Sequence, residues 1–167
     1  MKKILSLTLA LAMLGTALTG CGSKTAAPET SVEPTQQTAP YQQEQSQTEK
    51  ALALINTFAT GDTDTARSLL SDGHIQHNLA YGTGADAFIG SVEYLASADV
   101  KTTVNNIRAF EDGDKVFLQT IYNFAGAGEQ VAFDIFRFDE DGKIAEHWDV
   151  METIADQSTW QNQNGKF

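Results

Sequence analysis

Between residues 102 and 152 the chain holds four runs rich in β-branched and aromatic residues, at 102–111, 115–124, 129–139 and 143–152. The breaks between them are Asp112-Gly113, the stretch from Gly126 to Gly128, and Asp141-Gly142. Asp-Gly between alternating runs is among the strongest hairpin signals, because the short primed turns need positive φ at their centre. The pattern predicts a meander of four antiparallel strands.

Ahead of the meander the apolar spacing is helical. Ala51, Leu54, Ile55 and Phe58 recur at three and four residues until Gly61 stops them. Asp62 or Thr63 is placed to cap a second helix carrying Ala66, Leu69 and Leu70, which Asp72-Gly73 would end. Residues 74–78 read as a short extended piece. Phe88, Ile89, Val92 and Leu95 form one stripe of a third helix at 86–98. Helices first and a meander second predict an α+β fold, with three N-terminal helices packed on a curved antiparallel β-sheet that encloses a pocket.

The last hairpin concentrates the chemistry. With Asp141-Gly142 in a two-residue turn, Phe138 pairs with Ala145, Arg137 with Glu146, Phe136 with His147, Ile135 with Trp148 and Asp134 with Asp149. Faces alternate along a strand. Ile135, Arg137, Ile144, Glu146, Trp148 and Val150 then share one face, with a favourable Arg–Glu pair. Asp134, Phe136, Phe138, Ala145, His147 and Asp149 share the other. Opposed carboxylates repel, and in a partly dry site one of them is pushed up in pKa. Beside an imidazole such a carboxyl is general acid–base equipment. Asp134, His147 and Asp149 are therefore the candidate catalytic residues. Phe136 on the same face, with His77, Asn78 and Tyr81, makes the candidate substrate-binding set. Tyr94 and Tyr122 are expected in the core or at the rim.

No metal is expected. His74 and His77 would share a face only on a helix, and no HExxH or Cys-His spacing supports zinc. Nor is there a phosphate loop, nucleophile elbow or nucleotide fingerprint.

The stretch from Phe133 to Phe138, then Asp141 to Val150, resembles the closing hairpin of SnoaL-like proteins in the nuclear transport factor 2-like superfamily. Ile75-Gln76-His77-Asn78 is similar to a segment of the same group, and residues 162–167 resemble its tail. The resemblance implies a cone-shaped α+β fold, small apolar or carbonyl-containing ligands, and frequent homodimers through the outer sheet face. It also implies chemistry of the polyketide cyclase kind, an aldol-type ring closure without cofactor. Asp149 matches the family's late acidic residue, which acts there as acid and base. His147, Asp134, His77 and Asn78 match positions that line pockets in relatives. Where a relative has proline, this chain continues Leu79-Ala80.

The chain's start speaks to location. Met1 to Lys3 is basic, residues 4–18 are almost uninterruptedly apolar, and Leu18-Thr19-Gly20-Cys21 resembles the lipobox of bacterial lipoproteins. The apolar run is short for a spanning helix. Residues 1–20 therefore read as a lipoprotein signal peptide, and Cys21 as the lipidated (palmitate-bearing) residue. Residues 21–45, which hold all three prolines and almost no large apolar residue, read as a disordered linker. Residues 46–167 form the domain. Cys21 is the single cysteine, so no disulfide forms within one molecule.

Two of the 11 Lys and Arg fall in the signal, which leaves nine basic against 22 acidic side chains. Such a surface repels nucleic acid and anionic lipid headgroups, so membrane retention would rest on the lipid. The expected location is extracytoplasmic and lipid-anchored to a bacterial membrane. Two readings of the pocket stay open: a cofactor-independent lyase- or isomerase-type acid–base catalyst, and a non-catalytic module that binds a small apolar ligand or a partner protein.

Overall fold

The computed structural model describes residues 45–167. The expected signal, Cys21 and nearly all of the linker lie outside the described residues. No helix among those described is long and apolar enough to cross a membrane.

The first helix, α1 (Gln47–Thr60), starts where its sequence supplies both halves of a capping box. The Ser46 hydroxyl accepts from the Glu49 amide at 3.1 Å, and the Glu49 carboxylate accepts from the Ser46 amide at 2.8 Å. Gly61 ends it in the left-handed region at φ 74°, and a Cβ there would meet the Ala96 methyl at 2.8 Å. The second helix, α2 (Thr63–Leu69), is capped by Asp62, which accepts from the Thr65 amide at 2.9 Å.

Asp72-Gly73 does not end α2. The chain turns extended at Leu70 and runs as strand β1 (Leu70–Gln76), which carries Asp72 and Gly73 within a register break between Leu70 and Ile75. The irregularity hides the strand's period of two, which is why only residues from 74 onward read as extended. Helix α3 (Ala85–Ser97) and strands β2 (Thr103–Asp112), β3 (Lys115–Asn123), β4 (Gln130–Phe138) and β5 (Ile144–Thr153) follow. They form one sheet in the order β1-β5-β4-β3-β2, antiparallel except for the β1–β5 pair.

The three helices pack on one face of the curved sheet. Ala51, Leu54 and Ile55 of α1 and Phe88, Ile89 and Val92 of α3 are buried against Val116, Leu118, Ala132, Phe136, Phe138 and Ile144. Each large side chain so buried stabilises the fold by about 1.5–3 kcal/mol. A register shift between Asn106 and Arg108 bulges β2, and bulges bend a sheet. The Asn106 amide fills the gap, donating to the Thr120 hydroxyl at 3.1 Å and the Gln119 carbonyl at 3.3 Å.

The β4–β5 turn departs from the two-residue form at its tip. The Asp139 amide donates to the Lys143 carbonyl at 2.9 Å, and the Asp139 carboxylate accepts from the amides of Asp141 and Lys143. This makes a three-residue loop with Gly142 at φ 69°. Phe138 pairs with Ile144 rather than with Ala145, and Ile144 is fully buried on the core face rather than on the outer one. The shift between Arg137 and Phe138 then restores the register, so Arg137–Glu146, Phe136–His147, Ile135–Trp148 and Asp134–Asp149 pair as the sequence predicts. Asp139, whose short carboxylate tightens the loop, selects the longer turn.

Candidate functional site

The sheet and helices enclose a cavity of about 700 Å3. That lies within the usual range for small-molecule sites, roughly 300–1,000 Å3. Its helical wall is apolar, with Ile55 and Phe58 from α1 and Phe88 and Leu95 from α3. Its sheet wall is polar and carries Asp134, His147 and Asp149. Tyr94 and Tyr81 line it while staying largely open to solvent. No Lys or Arg lines the cavity among the described residues.

Strand alternation places Asp134 and Phe136 of β4, and His147 and Asp149 of β5, on the cavity face. Asp134 is 3 % exposed and both its oxygens are occupied. Oδ1 lies 3.2 Å from His147 Nε2, and Oδ2 accepts from the Tyr122 hydroxyl at 3.0 Å. Burial beside that carboxylate pushes the Tyr122 phenol well above its usual range, so it stays a donor. The His147 ring stacks on Phe136 at 4.5 Å, which fixes its plane.

Asp149 differs from Asp134 although the two face each other in the ladder. It is half-buried, and the Asn78 side-chain amide donates to its Oδ1 at 2.6 Å. No described residue donates to its Oδ2. Its carboxyl is pushed above the ordinary Asp range, first by burial, with a smaller push from Asp134, against lowering by His147 and Asn78. The sequence puts repulsion between the carboxylates first; in the structure the burial of Asp149 itself leads. Tyr81, which lines the same cavity, is raised as well, by burial and by the Asp149 charge.

The expected ligand-binding residues divide. Phe136 and Tyr81 line the cavity, and Asn78 touches Asp149. His77 does not reach the cavity. It follows β1 on the outer side, stacked on Trp148 at 4.5 Å with Nε2 3.3 Å from the Glu146 carboxylate. Alternation explains this: His74 and Gln76 point inward from β1, Ile75 and His77 outward. His74 is 2 % exposed and donates from Nδ1 to the Ile144 carbonyl at 3.1 Å; its Nε2 is buried without a partner. Burial pushes its pKa down, so it stays neutral.

Two contributors are absent from the sequence reading of the site. Gln76 donates its side-chain amide to His147 Nδ1 at 2.9 Å, and Tyr122 serves Asp134. The signals for Gln76 in the sequence are its two-residue spacing from His74 and Asn78 and its place in the Ile75-Gln76-His77-Asn78 segment.

Asp134, His147 and Asp149 present ligand-type atoms all within 4.8 Å of one another, the donor set of a cation site. His147, however, spends both ring nitrogens on Asp134 and Gln76, so a metal would have to displace a hydrogen bond made in the fold.

Fold and cavity together define a class: a cone-shaped α+β pocket protein with a histidine and two carboxylates on its sheet wall. The chain belongs to the SnoaL-like domain family, whose model matches residues 51–147, more than half its length. No curated protein matches it. Among solved structures it is similar to an NTF2-like protein of unknown function from Cytophaga hutchinsonii, at 16% identity and a TM-score of 0.57, covering 66% of this chain and 94% of that one. It is similar to IdmH, a putative polyketide cyclase from Streptomyces antibioticus, at 18% identity and a TM-score of 0.52, covering 65% and 93%. A LEH-like epoxide hydrolase from M. tuberculosis matches at 18% identity and a TM-score of 0.56, covering 64% and 82%. At such identities the likeness establishes the fold.

Proposed function

We propose that this domain is a cofactor-independent acid–base catalyst acting on a small, mainly apolar molecule that carries a carbonyl group. The observation that carries the reading is the division between the two carboxylates. Asp134 is saturated by donors, whereas Asp149 faces the cavity with a raised pKa and a free oxygen. Asp149 takes a proton from the carbon beside the carbonyl; the C–H electron pair moves into the enolate, and the new carboxyl O–H later returns the proton. Tyr81, held protonated next to Asp149, is the donor for the enolate oxygen. His147 has no free N–H for that oxygen, since its ring nitrogens are engaged by Asp134 and Gln76. That structural neighbours include a putative polyketide cyclase and an epoxide hydrolase supports cofactor-free chemistry in such a pocket.

The test needs no knowledge of the natural product. Cyclic ketones incubated with the protein in heavy water should exchange their α-protons faster than buffer does, followed by proton NMR. Ketones that bind without exchange would make the pocket a carrier and overturn the catalytic reading.

The chain is also exported and held on a bacterial membrane by lipid on Cys21, so that its ligand is met outside the cytoplasm. The basic start, short apolar run and Leu18-Thr19-Gly20-Cys21 support this. In cells the protein should fractionate with membranes, and Cys21→Ala should release it. Retention of the variant in the membrane fraction would refute the anchor.

A further inference from the structure

The parallel β1–β5 pairing sets Gln76 beside His147 on the cavity face, sealed by the His77 amide donating to the His147 carbonyl at 2.9 Å. The Gln76 amide cannot turn freely. Its Oε1 accepts the Asn78 backbone N–H at 2.9 Å, which leaves the NH2 group aimed at His147 Nδ1, 2.9 Å away. An amide NH2 donates and does not accept. Nδ1 must therefore offer a lone pair, and the proton of the neutral ring sits on Nε2, 3.2 Å from Asp134 Oδ1. Asn78 then carries two tasks: its backbone N–H holds Gln76, and its side-chain amide holds Asp149.

We propose that Gln76 and Asn78 are positioning residues, with Gln76 locking neutral His147 in the Nε2–H tautomer and so reserving the ring for Asp134, while Asn78 secures both Gln76 and Asp149. This dedicates His147–Asp134 as a fixed pair and leaves Asp149 as the exchanging group. The consequence for Asp149 rests on the acid–base reading; the tautomer does not. The titratable groups facing His147 are His74 from β1, Asp134 from β4, Asp149 along β5, Tyr122 from β3 through Asp134, and Tyr81 from the loop through Asp149.

The chain has three histidines, so their ring nitrogens are separable by nitrogen-15 NMR on uniformly labelled protein. At a pH where the ring is neutral, wild-type His147 should show Nδ1 as an acceptor nitrogen and Nε2 as N–H. Gln76→Glu keeps the size and the acceptor for Asn78 but replaces the donor by a carboxylate. Nδ1 of that variant should carry a proton at the same pH. Because a charged His147 lowers Asp149, the pH profile of ketone exchange should move to lower pH, with a maximal rate about tenfold or more lower. A wild-type ring with N–H on Nδ1, or a Gln76→Glu ring unchanged from wild type, would overturn the proposal. The wild-type spectrum decides even if the variant does not fold. If ketones never exchange, the acid–base reading fails while the ring spectrum still answers this one.

Discussion

Asp149→Asn is expected to reduce ketone exchange to the buffer rate and, at neutral pH, to make the protein more stable. General base catalysis by a placed side chain contributes about 10²–10⁴-fold, and an amide cannot supply it. The stability gain follows from linkage. The folded-state pKa of Asp149 lies above its unfolded value, so the folded state holds the proton more tightly. The favourable contribution of this group is fully present below the unfolded pKa, near pH 4, and is lost as pH rises through the raised folded pKa. At pH 7 the wild-type chain carries an ionised carboxylate in a half-dry site; an Asn side chain does not, and its oxygen can still accept from Asn78. The gain should shrink toward zero below about pH 4, where Asp149 is protonated in both states. Thermal unfolding of both proteins at pH 7 and pH 4 checks this. A variant less stable at pH 7, or a gain independent of pH, would show that the Asp149 carboxylate is not destabilised by its burial.

Asp134→Ala should act in the opposite direction, with a loss of about 2–6 kcal/mol, because two buried donors lose their acceptor. The substitution strands the Tyr122 hydroxyl and the His147 Nε2–H, both in buried residues, without an acceptor. Each stranded group costs about 1–3 kcal/mol. Tyr122→Phe made together with Asp134→Ala should destabilise by less than the two single changes added, since they share one hydrogen bond. Urea unfolding of the four proteins measures the coupling. A loss below about 1 kcal/mol for Asp134→Ala would mean that water serves the two donors.

The two substitutions separate what the ladder alone makes look equivalent. Asp134 and Asp149 are cross-strand partners of the same chemical type. One is buried and bonded to a phenol and an imidazole; the other is held by a single side-chain amide and left half open to the cavity. Their surroundings come from β1, β3 and the loop after β1, which no hairpin rule describes.

Much of the fold was legible in the sequence because its signals are local. Ser46 and Glu49 meet within one helical turn, Asp62 caps its own helix, and Asp-Gly breaks mark two of the three hairpin junctions. The pairing of Asp134 with Asp149 was legible for the same reason: 15 residues and one turn connect them, and alternation does the rest. Even there the turn tip departs from the two-residue form, since Asp139 adds a residue to the loop and the bulge beyond it takes the residue back. What tertiary structure decided is which residues surround the pair. β1 joins β5 in parallel across about seventy residues of chain, and that register turns Gln76 inward and His77 outward. No periodicity in a seven-residue strand with a register break fixes this. Local sequence signals were enough for the elements, the pairing of the two carboxylates and their face of the sheet. Closure of the sheet's far edge supplies the partners that bury one carboxylate among donors and leave the other half open to the cavity, because that closure is driven by burial of a core shared by the whole domain and not by any local pattern.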